Sequence, residues 1–193
     1  MQDKVTNILI VGVGGQGTLL TSRIIAQVAV QLGFDVKVSE IHGMAQRGGS
    51  VVSQVRYGKK VYSPIINKGE ADIILAFEKI EAARWLDYLK PDGMVIINNE
   101  RVNPLPVMSG KEKYPDEIHE KIAAMLPKTV IVDATDIANH CGNVRVANVV
   151  LVGMLSSAIG IPAEEVEKAI TAIVPAKALQ VNLQAFNEGR ILV

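Results

Sequence analysis

The stretch EIHGMAQRGGSVVSQVRYG, residues 40–58, decides which kind of α/β fold the chain adopts. It lies where a dinucleotide-binding fold would place a crossover helix. Residues 42–49 are instead rich in glycine and in hydrogen-bond donors, and residues 50–57 alternate in the manner of a β-strand. The chain therefore departs from the dinucleotide-binding plan here and passes through a loop directly into a strand.

Upstream of this stretch, the sequence has the pattern of one strand–helix–strand unit. Residues 5–11 form a β-branched apolar run, residues 18–32 carry apolar side chains at helical spacing, and residues 36–41 read as a second strand. We expect a right-handed crossover between the two strands. Downstream, residues 50–57 and 61–63 flank a glycine turn, which predicts a hairpin at the sheet edge.

The remainder of the chain alternates strands with helices. Further strands are predicted at 71–77, 94–98 and 129–132, and further helices at 78–89, 115–126, 144–158, 163–173 and 177–188. Residues 99–114 read as a long surface connection, and His119 is expected to be exposed to solvent. The predicted fold class is α/β: a single Rossmann-like domain over residues 1–193, with a mostly parallel sheet, helices on both faces and an edge hairpin.

Composition excludes several classes of function. The 193 residues carry 20 basic and 20 acidic side chains and only 4% aromatics, so we expect no nucleic-acid partner. The N-terminus lacks the layout of a signal peptide and no apolar run matches a membrane helix, which predicts a cytoplasmic protein. The hydrophobic fraction of 49% fits either a large partner interface or a sheet covered on both faces.

The only cysteine is Cys141, so the chain forms no internal disulfide and holds no iron–sulfur cluster, which usually needs four thiolates. No paired metal ligands and no catalytic nucleophile stand out. Any metal used in electron transfer is therefore expected on another chain.

The glycine turn Gly12-Val-Gly-Gly-Gln-Gly17 matches the dinucleotide-binding pattern, because it follows a strand and opens a helix. Backbone N–H groups at a helix start attract phosphate, and Glu40 stands where a ribose-binding acid would lie. The missing second helix and the extra Gly15-Gln16 pair count against that function. Three interpretations stay open: a dinucleotide site, contact with another anion or cofactor, and a tight turn without a ligand.

The segment 42–49 supplies a second group of candidate ligand contacts. The planar guanidinium of Arg47 suits a carboxylate or a phosphate, and His42 could donate a hydrogen bond or transfer a proton. A salt bridge for Arg47 and a structural hydrogen bond for His42 are the alternatives. The segment follows the carboxyl end of one strand and the glycine turn follows another, so we expect the two loops to face each other.

Three segments together resemble the gamma module of 2-oxoacid:ferredoxin oxidoreductases: residues 8–17, 42–51 and 148–153. The resemblance covers nearly the whole chain, and a separate chain of this length is most similar to the beta subunits of the indolepyruvate branch. It implies a subunit of an enzyme that converts a 2-oxoacid to an acyl-CoA with thiamine diphosphate and iron–sulfur clusters, passing electrons to ferredoxin. A large alpha subunit is expected to hold the thiamine and the clusters, with coenzyme A as co-substrate.

On this resemblance, the present chain binds no cofactor alone and contacts coenzyme A or the substrate through its two loops. The candidate cofactor-binding residues are Gly12, Gly14, Gly15, Gln16, Gly17, His42, Gln46 and Arg47. No catalytic or metal-binding residue is nominated. The isolated chain is expected to be inactive and to form a homodimer through its vacant interface. The alternatives are a gamma subunit of a pyruvate, 2-oxoisovalerate or 2-oxoglutarate enzyme, and an independent NAD- or FAD-binding protein.

Overall fold

The computed structural model describes residues 5–43 and 49–192, and within them one six-stranded sheet organises the fold. The strands are β1 (Thr6–Val13), β2 (Asp35–His42), β3 (Ser50–Gly58), β4 (Ala71–Ala76), β5 (Leu89–Asn98) and β6 (Thr129–Val132). Their order across the sheet is β2-β3-β1-β4-β5-β6. Only β3 runs antiparallel to its neighbours among these strands, so the prediction of a mostly parallel sheet is confirmed.

The edge hairpin exists, but its strands differ from those predicted. Strand β3 lies between β1 and β2, where Val52 pairs with Val11 on one side and with Ile41 on the other. The hairpin at the edge is therefore β2–β3, and the predicted pairing of residues 50–57 with 61–63 is wrong because 61–63 form no strand. The polar residues Ser53 and Gln54 of β3 are both buried, as its interior position requires.

The position of β3 also changes the first strand–helix–strand unit. Strands β1 and β2 are parallel and joined through a helix, as expected, but β3 separates them in the sheet. The interior strand β3 can bury the polar side chain of Gln54 because its Oε1 accepts a hydrogen bond from the Ile66 N–H at 2.6 Å. Burial of a polar group costs little when such a partner is present.

Helices cover both faces of the sheet, as predicted. They are α1 (Thr18–Gln31), α2 (Lys79–Arg84), α3 (Leu105–Met108), α4 (Ile118–Met125), α5 (Ala134–His140), α6 (Ala147–Ala158), α7 (Ala163–Ile173) and α8 (Ala176–Arg190). One apolar core joins the sheet to α1 and to α5 through α8, and a smaller one joins the other face to α2 and α4. Among the described residues, no helix combines the length and apolar character needed to cross a bilayer.

Local patterns predicted the burial of α6 correctly but not that of α4. In α6 the nine consecutive residues from Asn148 to Ser156 are buried, which makes it the central helix of the larger core. In α4 the prediction of a solvated His119 is wrong, because this side chain is only 8% exposed. The helix packs against α2 and β6, and its apolar residues Ile118 and Ile122 join the smaller core, so one side of it faces inward.

Candidate functional site

The carboxyl ends of the parallel strands form an edge at which the glycine turn separates two clefts. The first, here the β2 cleft, has a volume of about 400 Å³ and is lined by Gly14, Thr18, Leu19, Glu40, His42 and Val51. The second, the β5 cleft, measures about 390 Å³ and is lined by Phe77, Asn98, Glu100, Thr135, Val144 and Arg145. Gly15 and Gly17 border both clefts.

The four glycines of the turn serve different purposes. A Cβ at Gly12 would lie 2.9 Å from both Gln16 Oε1 and the Cβ of Phe77, so this position must be small. The N–H of Gly14 donates to the Gly49 carbonyl at 2.9 Å. Gly15 has a φ of +100° with open space where a side chain would be. Gly15 thus combines a left-handed backbone, which favours glycine, with an unobstructed approach for another molecule.

Gly17 is the N-cap residue of helix α1 and packs against α6. Its φ is +88°, and a Cβ there would lie 2.6 Å from Nδ2 of Asn148, a residue buried in the first turn of α6. Within the described residues no side chain caps the N-terminus of α1. The first-turn N–H groups of this helix therefore remain available to an anion.

We expect Gly17→Ala to lower the free energy of unfolding by about 2 kcal/mol, since the added methyl meets a buried side chain and the backbone is left-handed. Gly15→Ala, which adds the same methyl into open space, is expected to cost only about 1 kcal/mol through its positive φ. Urea denaturation of both variants checks this order. Equal losses would show that the contact with Asn148 does not constrain the turn.

The side chain of Gln16 turns back onto the protein itself. Its Oε1 accepts from the Val13 N–H at 2.7 Å, and its Nε2 donates to the Phe77 carbonyl at 3.1 Å. These contacts link the end of β1 to the end of β4. A ligand contact by the same amide, as expected from the sequence, stays a prediction; for an anion it would use the second Nε2 hydrogen.

The described ends of the second loop lie beside the glycine turn, as expected. Gly49 accepts from Gly14, and the N–H of Gly43 donates to the Ser50 carbonyl at 3.3 Å. His42, at the end of β2, is exposed and borders the β2 cleft. Gln46 and Arg47 lie outside the described residues, so their roles stay predictions.

The sheet order bears on the dinucleotide interpretation. In that fold the acidic residue ends the strand next to the first strand. Here β3 intervenes, which places the strand carrying Glu40 two spacings, about 10 Å, from β1 instead of about 5 Å. The chain also enters β3 where a second crossover helix would stand. The pattern of glycines is present without the architecture that normally accompanies it.

The β5 cleft was not identified from the sequence. It lies beside the boundary between β1 and β4. The chain leaves β1 towards one edge of the sheet and leaves β4 towards the other, and ligands of open α/β sheets usually bind at such a switch point. Asn98 is the last residue of β5 and Glu100 follows the strand, whereas Arg145 precedes α6 and is exposed. The signal that could have revealed these residues was the presence of polar side chains directly after predicted strands.

Residues 99–117, here the strap, run along this edge and are held by Glu78. This carboxylate is 1% exposed; its Oε2 accepts from the N–H groups of Ile80 and Glu81 at 2.7 and 3.0 Å, capping α2. Its Oε1 accepts from the Val102 N–H at 3.2 Å and from the Tyr114 hydroxyl. Burial and the Glu78 carboxylate raise the pKa of Tyr114 well above its usual range, so this phenol stays protonated and donates.

Metal binding finds no support in the described part of the chain, where no three His, Cys, Asp or Glu side chains come together as ligands. Burial raises the pKa of the half-buried Cys141 thiol, which opposes thiolate formation. The edge thus offers backbone donors, amides and charged side chains. It offers no evident nucleophile among these residues.

Comparisons with known proteins place the chain in a family. Residues 7–191 match the model of the pyruvate ferredoxin/flavodoxin oxidoreductase family. The indolepyruvate oxidoreductase subunit IorB of Pyrococcus horikoshii is 42% identical over 96% of this chain and 95% of its own length. The IorB subunit of Archaeoglobus fulgidus is 43% identical, over 95% and 92%. The common gamma subunit of the pyruvate/ketoisovalerate oxidoreductases of Pyrococcus furiosus is 27% identical, over 92% and 91%.

Solved structures share the fold. The gamma subunit of a keto/oxoacid ferredoxin oxidoreductase from Geobacter sulfurreducens superposes with a TM-score of 0.72 at 24% identity, covering 96% of each chain. A 2-oxoglutarate:ferredoxin oxidoreductase from Magnetococcus marinus, solved with 2-oxoglutarate, coenzyme A and succinyl-CoA bound, gives a TM-score of 0.75 at 22% identity, covering 99% of this chain and 31% of that one. From the full-length family match and the relatives above 40% identity, the chain belongs to the pyruvate ferredoxin/flavodoxin oxidoreductase family.

Proposed function

We propose that this chain is the beta subunit of an indolepyruvate:ferredoxin oxidoreductase, which oxidatively decarboxylates arylpyruvates to acyl-CoA and passes the electrons to ferredoxin. The observation that carries the proposal is the difference in identity: 42% to an IorB subunit against 27% to a common gamma subunit, both over more than 90% of the chain. A gamma subunit of a pyruvate, 2-oxoisovalerate or 2-oxoglutarate enzyme is the alternative within the family.

In this proposal a large alpha subunit holds the thiamine diphosphate and the iron–sulfur clusters, which a chain with one cysteine cannot ligate alone. The carboxyl edge of the sheet faces that subunit. Exposed apolar side chains at this edge support the orientation, because they need a partner to cover them: Leu19 is 40% exposed, Ile41 53%, Leu105 77% and Val144 48%. The isolated chain is accordingly expected to be inactive.

The glycine turn and residues 42–49 contribute to the binding of coenzyme A or to the substrate channel. The open Gly15 and the uncapped start of α1 offer N–H donors, and Arg47 would meet a phosphate of coenzyme A or the substrate carboxylate. Such contacts orient an anion beside chemistry performed on the partner subunit. They require no acid, base or nucleophile from this chain.

Reconstitution tests the function. The chain is co-purified with the large subunit, and indolepyruvate-dependent reduction of ferredoxin is measured with and without it. Activity should need both subunits and should favour indolepyruvate over pyruvate, 2-oxoisovalerate and 2-oxoglutarate. An assembly that turns over one of the latter three and not indolepyruvate would support the alternative gamma subunit.

One observation favours an independent NAD- or FAD-binding protein: the turn follows β1 and opens α1, as in dinucleotide-binding folds. The interposed β3 argues against it. A spectrum of the purified chain and a nicotinamide titration separate the two functions. Tight binding of NAD by the isolated chain would reject the proposed subunit role. A cytoplasmic location and self-association of the isolated chain stay predictions.

Arg47→Ala is expected to raise the KM for coenzyme A or for the arylpyruvate by roughly 10-fold or more, the cost of one charge-assisted hydrogen bond. Steady-state kinetics of the reconstituted complex measure it. Arg23→Ala, which removes an exposed guanidinium from α1, serves as the matched control. If KM is unchanged for both substrates, Arg47 has no role in binding them.

A further inference from the structure

We infer that Gln16 is a positioning residue: together with Asn98 it forms an amide brace that holds the glycine turn in the geometry its anionic ligand requires. The inference rests on the proposed function, because the ligand is taken to be the anionic co-substrate. It differs from the sequence-based expectation, in which the Gln16 amide itself meets the ligand.

The first half of the brace is the side chain of Gln16. It forms a hydrogen bond at each end of its amide, with the Val13 N–H at 2.7 Å and with the Phe77 carbonyl at 3.1 Å. The absence of a side chain at Gly12 makes room for it, since a Cβ there would lie 2.9 Å from Gln16 Oε1. Gly12, the first glycine of the glycine turn, therefore leaves the space that the Gln16 side chain occupies.

The second half is Asn98, which is 3% exposed at the end of β5. Its Nδ2 lies 3.4 Å from the same Phe77 carbonyl, and its Oδ1 accepts from the Ala134 N–H at 2.9 Å. The two amides thus meet at one carbonyl. Together they connect the turn after β1 with the ends of β4 and β5 and with the start of α5.

A turn of this composition needs such a connection. Gly15 and Gly17 both adopt left-handed backbone angles that glycine visits freely, so the turn has little stiffness of its own. Its N–H groups bind an anion well only if they are held in place before the anion arrives. Displacement of a binding group by about 1 Å is enough to impair a site. The side-chain hydrogen bonds of Gln16 and Asn98 hold the flexible turn in place.

Hydrogen exchange on the full chain tests the structural part. In Gln16→Ala the Val13 amide loses its acceptor, and its exchange should become at least about tenfold faster, with α7 and α8 unchanged. Gln16→Glu keeps an acceptor for Val13 but sets a carboxylate oxygen against the Phe77 carbonyl, so the turn should loosen there too. Gln180→Ala, an exposed glutamine on α8, is the matched control and should change nothing.

Kinetics of the reconstituted complex test the functional part. Gln16→Ala should raise the KM for coenzyme A about five- to tenfold with kcat within twofold of wild type, since pre-organisation of binding groups is lost. Faster exchange together with a raised KM supports the brace. Unchanged exchange with a raised KM would overturn it in favour of direct ligand contact, and faster exchange with an unchanged KM would overturn its link to the ligand.

The proposed function can fail separately from this inference. A wild-type complex that does not reduce ferredoxin with indolepyruvate rejects the function. Exchange at Val13 and calorimetric titration of the complex with coenzyme A then decide the brace without the reaction.

Discussion

Gly189→Ala is expected to destabilise the protein by about 3 kcal/mol or more, as severe overpacking of a core does. A Cβ at this position would lie 2.0 Å from the Val150 carbonyl oxygen and 2.8 Å from its carbon. These are backbone atoms of α6, so no side-chain rotation relieves the clash. Helices α6 and α8 must separate, which opens the core around the fully buried Phe186.

The contact between these helices is reciprocal. A Cβ at Gly153 of α6 would lie 2.3 Å from the Phe186 carbonyl oxygen and 2.9 Å from the Arg190 nitrogen, so each helix presents a glycine to the backbone of the other. Alanine is more favourable than glycine in a helix by only about 1 kcal/mol, which is too little to offset the clash with the neighbouring backbone.

Thermal and urea unfolding of Gly189→Ala measure the effect, with a decrease in Tm of roughly 6–12 °C expected for a domain of this size. Gly43→Ala is the control, because its Cβ would be 3.9 Å from the nearest atom of the described residues, the Ser50 carbonyl oxygen, and its backbone is not left-handed. A Tm equal to that of wild type would contradict the close packing of α6 on α8.

Glu78→Ala should cost about 3–5 kcal/mol, the combined loss of a helix cap and of acceptors for buried donors. The carboxylate serves the first turn of α2 with one oxygen and the strap with the other. Its removal leaves the Val102 N–H and the buried Tyr114 hydroxyl without this acceptor. The strap should then detach from the sheet edge.

Urea denaturation measures the loss, and limited proteolysis within the strap shows where the structure opens. Glu78→Gln retains one acceptor oxygen and should lose about half as much, because its amide nitrogen faces donors. Glu117→Ala, at an exposed glutamate that caps no helix with its side chain, should change stability by less than about 0.5 kcal/mol. A strap that resists protease in Glu78→Ala would show that other contacts hold it.

Much of the architecture was accessible from local patterns. The apolar runs of β1, β4 and β6, the glycine turn and the buried helix α6 were each predicted, because composition and periodicity over a few residues specify them. The resemblance to the oxidoreductase family rested on three short segments, one of which contains this turn, and the family match confirmed it. The carboxyl edge followed as a candidate site, since loops after parallel strands meet there.

Other features depended on partners distant in the chain. Residues 50–57 were predicted to form an edge hairpin with 61–63, yet β3 lies between β1 and β2, where the buried Gln54 accepts a hydrogen bond from the N–H of Ile66. His119 was taken for a solvated residue, but α4 turns it inward. Neither the neighbours of a strand nor the buried side of a short helix is encoded in the residues beside it.

The glycine turn shows most clearly which features the local sequence determines and which depend on the tertiary structure. The sequence by itself determined that a strand ends, a tight turn follows and a helix begins, because glycine spacing and apolar periodicity act over a few residues. Only the tertiary structure decided what the turn contacts: Gln16 reaches Phe77, 61 residues away, and Gly17 rests on Asn148. Hydrogen bonds and close packing between remote segments arise only when the sheet brings those segments together.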